Sequence, residues 1–183
     1  MEILIVSRHD KVRGPVMSQI MTTQAQERGL DIRVQSAGIE ASSYVLNSSL
    51  LADTMKAMQS LRYKPGPHTP TQITEKMING VDLVLCFSKR YLEPVQELAN
   101  HPIPEICLAH EFGGTDFEVA NIQGMYRTNW MLNKLPFSWD IALNHVDRRD
   151  PKARARLHLH TVRQIDKLST ACLDRLAVML QPF

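Results

Sequence analysis

The sequence predicts an α/β protein: a three-layer α/β/α sandwich around a central, mostly parallel four-stranded sheet. Three observations carry that prediction. Short apolar runs rich in β-branched residues alternate along the chain with helical patterns, the order of a βαβ protein. The runs Ile3–Val6 and Val81–Phe87 are almost continuously apolar, as strands covered on both faces require. And 183 residues at 44% apolar and 22% charged composition suit one domain with a full core.

The elements follow in order. Glu2 to Val6 reads as a buried strand. Ser7 to Gly14 is turn-like, and Pro15 opens a helix, where its fixed φ and missing N–H do no harm. Val16, Ile20, Met21 and Ala25 form the helix's apolar stripe, and Gly29 closes it. Ile32 to Val34 starts a second strand that ends in Ser36-Ala37-Gly38. Ser48 to Leu61 is helical, and Lys64-Pro65-Gly66-Pro67 is a loop. Thr69-Pro70-Thr71 caps a further helix closed by Gly80. Val81 to Phe87 is the third strand, with Ser88 capping the helix behind it. Ile103 to Leu108 is the fourth strand. Asp150 and Pro151 open a last helix at N-cap and N1, with Val162, Ile165, Leu168, Cys172, Leu176 and Met179 at three-four spacing.

The stretch 112–139 breaks this rhythm. Phe112, Phe117, Tyr126, Trp130, Phe137 and Trp139 fall there without a period, so about 115–138 reads as an insertion in a single domain spanning 1–183. Such a segment either folds over the core or offers a surface to a protein partner through 112–139. Cys86, Cys107 and Cys172 are far apart, which argues against a disulfide framework and a zinc site. No metal or cofactor is expected. The net charge of +2 is too small to imply nucleic acid. No run is long enough to span a membrane, and the start of the chain lacks the marks of a signal peptide, so a cytosolic protein is expected. Arg148, Arg149, Lys152, Arg154, Arg156 and Arg163, with His158 and His160 among them, form a basic stretch. It is either a solvated helix start or a patch for an acidic partner or nucleic acid, and its charges oppose the helix dipole.

The chemistry lies in the first βα turn. A buried strand, then Ser7-Arg8-His9-Asp10-Lys11-Val12-Arg13-Gly14, then a helix, is the geometry of an anion cradle. Backbone N–H groups turn inward, the helix start adds partial positive charge, and Arg13 supplies a fork.

These residues and several later ones resemble the low-molecular-weight protein tyrosine phosphatase family, whose phosphatase I-like fold is shared with one class of arsenate reductases. In that family the first strand runs into a loop of a nucleophilic Cys, five residues, then Arg, Ser and Pro. Ser7 stands at the Cys position, Arg13 at the Arg and Pro15 at the Pro. Glu27 to Ile32, Ser36-Ala37-Gly38, His68 ahead of Thr71-Gln72-Ile73-Thr74, Val81 to Leu85 and Ser88 to Leu92 resemble later family segments. So do Glu111-Phe112-Gly113-Gly114 and Trp139-Asp140-Ile141, on either side of the insertion. The resemblance implies that Ser36 and His68 brace the loop by hydrogen bonds.

The departures bear on chemistry. The family uses a thiolate that attacks phosphorus and an Asp that protonates the leaving group. Ser7 offers a hydroxyl instead, and an alkoxide is far harder to form without a base. Gly14 replaces a Ser that supports the leaving thiolate. His9 and Asp10 replace a Gly and an Asn that accept unusual backbone angles, and Asp10 carries negative charge toward an anion site. The acid position of Asp140-Ile141-Ala142-Leu143-Asn144 falls on Leu143, which cannot donate a proton. Aligning His110 to Gly114 there also lacks the Asp, and Asp150-Pro151 reads as a helix cap or a displaced acid. One engineered Cys→Ser change explains Ser7 but not the other departures. Arsenate reduction lacks its thiolate and its resolving cysteine pair. Three readings follow: an inactive phosphatase-like protein that binds phosphate, sulfate or a phosphorylated ligand in loop 7–14; a slow phosphatase using Ser7 with His9 or Asp10 as base; or an interaction module with a vestigial loop.

Overall fold

A computed structural model describes residues 1–41, 48–99, 105–120, 122 and 150–181, without the side chains of 48–51. Four parallel strands, β1 (Glu2–Ser7), β2 (Arg33–Gly38), β3 (Leu83–Cys86) and β4 (Glu105–Leu108), form one sheet in the order β2-β1-β3-β4. The central strand β1 pairs Ser7 with Gly38 on one side and Val6 with Cys86 on the other. Ile3, Leu4, Ile5 and Val6 are completely buried, as their unbroken apolar run requires. Truncating Ile3, Leu4 or Ile5 to Ala empties buried space on the face to which that side chain points, at a cost of roughly 2–5 kcal/mol.

The helices among the described residues are α1 (Arg13–Glu27), α2 (Ser48–Ser60), α3 (Glu75–Asn79), α4 (Lys89–Leu98), α5 (Ala109–Gly113) and α6 (Pro151–Met179). From β1 the chain crosses through α1 to β2 at one edge. From β3 it crosses through α4 toward β4 at the other edge. Right-handed crossovers running in opposite directions place α1 and α4 on opposite faces of the sheet, which makes the three layers. The long α6 packs against α1, α2 and α5. Its buried row, including Val162, Ile165, Leu168, Cys172 and Leu176, is the three-four stripe read from the sequence.

Local signals are realised with a few shifts. Gly29 follows the α1 C-cap at φ +67°, the left-handed conformation glycine accepts without a Cβ clash. Asp150 caps α6 by accepting the amides of Lys152 at 2.8 Å and Ala153 at 3.2 Å, so its carboxylate serves the helix. Helix α3 is capped by Thr74, whose hydroxyl accepts from the Met77 amide, and not by Thr69-Pro70-Thr71. Thr71 is drawn away because its amide and carbonyl bond to Asp10 and Gly38. Ser88 occupies the α4 cap position without a side-chain cap bond. Part of the basic stretch turns inward: His158 is fully buried with Nδ1 2.8 Å from the Thr54 hydroxyl, and Arg154 pairs with Asp53. The expected insertion at 115–138 lies outside the described residues apart from 115–120 and 122. So do Trp139, the segment Asp140 to Asn144 with Leu143, Arg148 and Arg149. No described helix is long and apolar enough to cross a membrane.

Candidate functional site

Where neighbouring strands send their connections in opposite directions, a crevice opens at their carboxyl ends. Open α/β sheets bind ligands there. In this sheet that place is between β1 and β3, and the turn 7–14 fills it. The turn is pinned to the end of β2: Ser7 and Arg8 carbonyls accept the Ile39 and Glu40 amides at 3.1 and 2.7 Å. Arg8 also pairs with Glu40 on the surface, and His9 Nδ1 lies 3.2 Å from the Glu40 carbonyl. These contacts aim the Arg8 and His9 side chains at Glu40.

Gly38 shows how closely the turn is seated. A Cβ there would lie 2.8 Å from the Asp10 nitrogen and 2.9 Å from the Arg8 carbonyl oxygen. The loop backbone rests directly on that glycine.

Asp10 takes a left-handed backbone, φ +50°, and is fully buried. Asp is among the few non-glycine residues that enter this region readily. Its Oδ2 accepts the Thr71 amide at 3.0 Å and lies 3.1 Å from His68 Nε2. The same Nε2 reaches the Asp10 carbonyl at 2.8 Å. His68 thus touches the loop twice through one residue. Burial of the ring opposes its charge, but hydrogen bonds and charge from Asp10 outweigh that and raise the His68 pKa above its ordinary 6.5. Oδ1 of Asp10 is buried with no hydrogen-bond partner. It faces Gly14, where a Cβ would stand 2.8 Å from Oδ1, 3.0 Å from Ser7 Oγ and 3.3 Å from Ser36 Cβ. As folded, a serine at 14 would collide with the carboxylate, so glycine at this position fits Asp10. Ser36 packs against this point, with no hydrogen bond from its hydroxyl among the described residues.

Ser7 is 3% exposed, and its Oγ accepts the Asp10 amide at 3.2 Å. No side chain among the described residues caps α1, and its first turn carries no acid. Its leading amides therefore keep their affinity for an anion. Val12 packs on the core, and Lys11 edges an apolar hollow of about 290 Å³ between α1, α2 and Pro67, beside the turn.

Arg13 is 7% exposed. Its Nη1 donates to the Val119 carbonyl at 3.1 Å and its Nη2 to the Tyr91 hydroxyl at 3.2 Å. The guanidinium lies 5.2 Å from the Phe87 ring centre and 6.0 Å from that of Tyr91. No carboxylate among the described residues pairs with it. Desolvation lowers its pKa from the ordinary arginine value, with partial relief from Tyr91 and more weakly from Glu118. The loop therefore keeps its charges apart. The guanidinium faces α4 and Val119, and the carboxylate faces His68 and Thr71. Phe87, Tyr91 and Val119 were not singled out from the sequence. Phe87 and Tyr91 had a signal, since they follow the strand that flanks β1. Val119 sits in the stretch without a period.

None of the three thiols offers a substitute nucleophile. Burial pushes Cys86 and Cys172 up to about 12 and Cys107 to about 11. No group of three metal-ligating side chains occurs among the described residues.

The sheet is parallel, with an arginine-bearing turn at its switch point. The chain belongs to the low molecular weight phosphotyrosine protein phosphatase family, whose model matches residues 2–123. Solved structures share the fold over nearly the whole chain. A low molecular weight protein tyrosine phosphatase from Bacillus subtilis superposes with a TM-score of 0.71 at 16% identity, covering 99% of this chain and 100% of that one. One from T. tengcongensis gives 0.68 at 18% identity, covering 98% and 99%. A cysteine-to-serine mutant of the YwlE arginine phosphatase, with a phosphorylated active-site serine, gives 0.68 at 17% identity, covering 97% and 96%. A search of curated proteins by sequence finds no match.

Proposed function

We propose that this protein binds phosphate or a phosphorylated ligand in the loop 7–14 without turning it over. The observation that carries the reading is the Arg13 guanidinium, buried with no carboxylate partner among the described residues, beside helix amides that no described side chain caps. Burying a charge unpaired is costly, and an anion arriving at the loop offsets that cost. Arg13 is the principal ligand residue, with Ser7 and the amides of Arg8 to Gly14 as the cradle. The family's nucleophile position holds Ser7, and its acid position holds Leu143. Loss of a nucleophile alone lowers turnover by a factor on the order of 10⁶. Three unpaired thiols fit a reducing, cytoplasmic setting.

Thermal unfolding with phosphate, sulfate and vanadate tests the reading. Dose-dependent stabilisation is expected in the native chain and absent in Arg13→Ala, with circular dichroism confirming that the variant folds. No release of p-nitrophenol from p-nitrophenyl phosphate is expected above a heat-denatured control. No stabilisation by any of the three anions overturns binding, and turnover abolished by Ser7→Ala overturns inactivity.

A second reading has Ser7 Oγ take the phosphoryl group of a phosphate ester and hold it, the P–O ester bond breaking and the freed alcohol leaving with the hydroxyl proton. The phosphorylated active-site serine of the arginine phosphatase mutant supports it, together with a Ser7 hydroxyl set at the start of the cradle. Intact-mass measurement after incubation with a phosphate ester decides it. A gain of one phosphoryl group, absent in Ser7→Ala, supports this reading, and an unchanged mass removes it.

A further inference from the structure

The outer face of α6 carries a feature that anion binding at the loop does not use. From Lys152 to Lys167 the exposed residues are Lys152, Ala155, Arg156, His160, Arg163 and Lys167. Apart from one alanine, each is basic or a histidine. Steps of four, four, three and four residues put the five on one helical face, in single file over about 22 Å. The acids of this half of the helix are committed elsewhere. Asp150 caps the helix, and Asp166 accepts from the Tyr63 hydroxyl and the Gln24 amide on the inner side. Arg154, the one arginine that turns away, pairs with Asp53 of α2. Among the described residues the five make no ion pair.

This arrangement works against the helix. Like charges at i, i+4 repel, and Lys152 and Arg156 sit near the positive end of the dipole. Packing does not demand it, because α1, α2 and α5 meet α6 through its apolar row. We infer that the exposed face of α6, Lys152-Arg156-His160-Arg163-Lys167, is a docking surface for an acidic helix of a partner protein. A single row one residue wide, in which Lys152 and Arg156, and Arg163 and Lys167, stand about 6 Å apart, is complementary to Glu or Asp at the same spacing on a facing helix. A duplex spreads its phosphates over two strands, and single strands are held by aromatic platforms, whereas α6 has no aromatic residue. A helix that lies in a membrane interface buries an apolar flank, and this face offers only Ala155.

The test uses the full chain and a fluorescent helical peptide with Glu at the five matching positions, beside a scrambled peptide of the same composition. Anisotropy is expected to show tighter binding of the matched peptide, weakening as salt is raised. Arg156→Glu with Arg163→Glu is expected to weaken it about tenfold. Lys64→Glu with Lys76→Glu, an equal change of net charge off the row, is expected to leave it within about twofold. If the glutamate pair does not fold, Arg156→Gln with Arg163→Gln takes its place. Equal binding of matched and scrambled peptides, equal loss in both variant pairs, or a duplex oligonucleotide that displaces the matched peptide and depends on the same two arginines overturns the inference.

Discussion

Arg13 is held between two demands. Its charge calls for an anion, while its present partners, the Tyr91 hydroxyl and the Val119 carbonyl, are neutral oxygens. Neutral acceptors satisfy donors without cancelling charge, so the side chain is anchored but not neutralised. Tyr91→Phe isolates the difference. The ring and its contact with the guanidinium remain, and one buried charged donor loses its acceptor. Such a loss costs about 1–3 kcal/mol. That corresponds to a fall of a few degrees in Tm for a chain of this size, at roughly 2–4 °C per kcal/mol. A bound phosphate then supplies the missing acceptor. The phosphate-induced rise in Tm is therefore expected to be larger in Tyr91→Phe than in the native chain. A smaller rise would mean that the hydroxyl orients the guanidinium toward the ligand. Asp10 completes this scale: its carboxylate contacts His68 and the Thr71 amide on the other side of the turn, so it does not compete for Arg13.

At the scale of elements, the turn keeps its shape because β2 ends in a residue without a side chain. The Asp10 nitrogen, the Arg8 oxygen and the His9 carbonyl carbon all come within 2.9 Å of a Cβ placed on Gly38. These are backbone atoms, which cannot rotate aside as a side-chain tip can. Gly38→Ala is therefore expected to lift the turn from β2. The cost is roughly 1–3 kcal/mol from overpacking, together with loss of the phosphate-induced rise in Tm. Gly66→Ala is the matching control. Nothing lies within 4 Å of its Cβ and its φ is not in the left-handed range, so its stability stays within about 1 kcal/mol of native. Thermal unfolding of both variants with and without phosphate checks the pair. The end of β2 was legible in the sequence as Ser36-Ala37-Gly38, but the reason for its glycine was not. That reason is a backbone some thirty residues earlier, which no local pattern reveals.

Over the whole molecule, what the sequence disclosed was what neighbouring residues determine. Continuous apolar runs disclosed β1 and β3. Asp150-Pro151 and a three-four row disclosed α6, and the stretch from Ser7 to Gly14 between a buried strand and the Pro15 helix start disclosed the turn. What stayed hidden depends on distant partners: Tyr91 and Val119 lie 78 and 106 residues from Arg13, and Thr54 lies 104 residues from His158. His158 looks in sequence like one more member of a basic stretch. The fold buries it between α2 and α6, where desolvation lowers its pKa from 6.5 to about 4, more than nearby Asp53 restores. That burial makes the stability of the molecule depend on pH. Below about 6.5 the unfolded chain binds a proton at this ring, and the folded chain does not until about 4. Stability from this site is thus intact above the upper value and drains away as pH falls to the lower one. The full loss is on the order of 3 kcal/mol at about 1.4 kcal/mol per pKa unit. His68 acts in the opposite sense, since its raised pKa adds stability below 6.5 that is lost as pH rises through its folded value. Denaturant unfolding of the native chain and of His158→Gln between pH 7 and pH 4 separates the two, because His68 is common to both. The native chain is expected to lose stability relative to the variant across that interval. Parallel curves would mean that the ring takes up its proton without leaving the contact between α2 and α6.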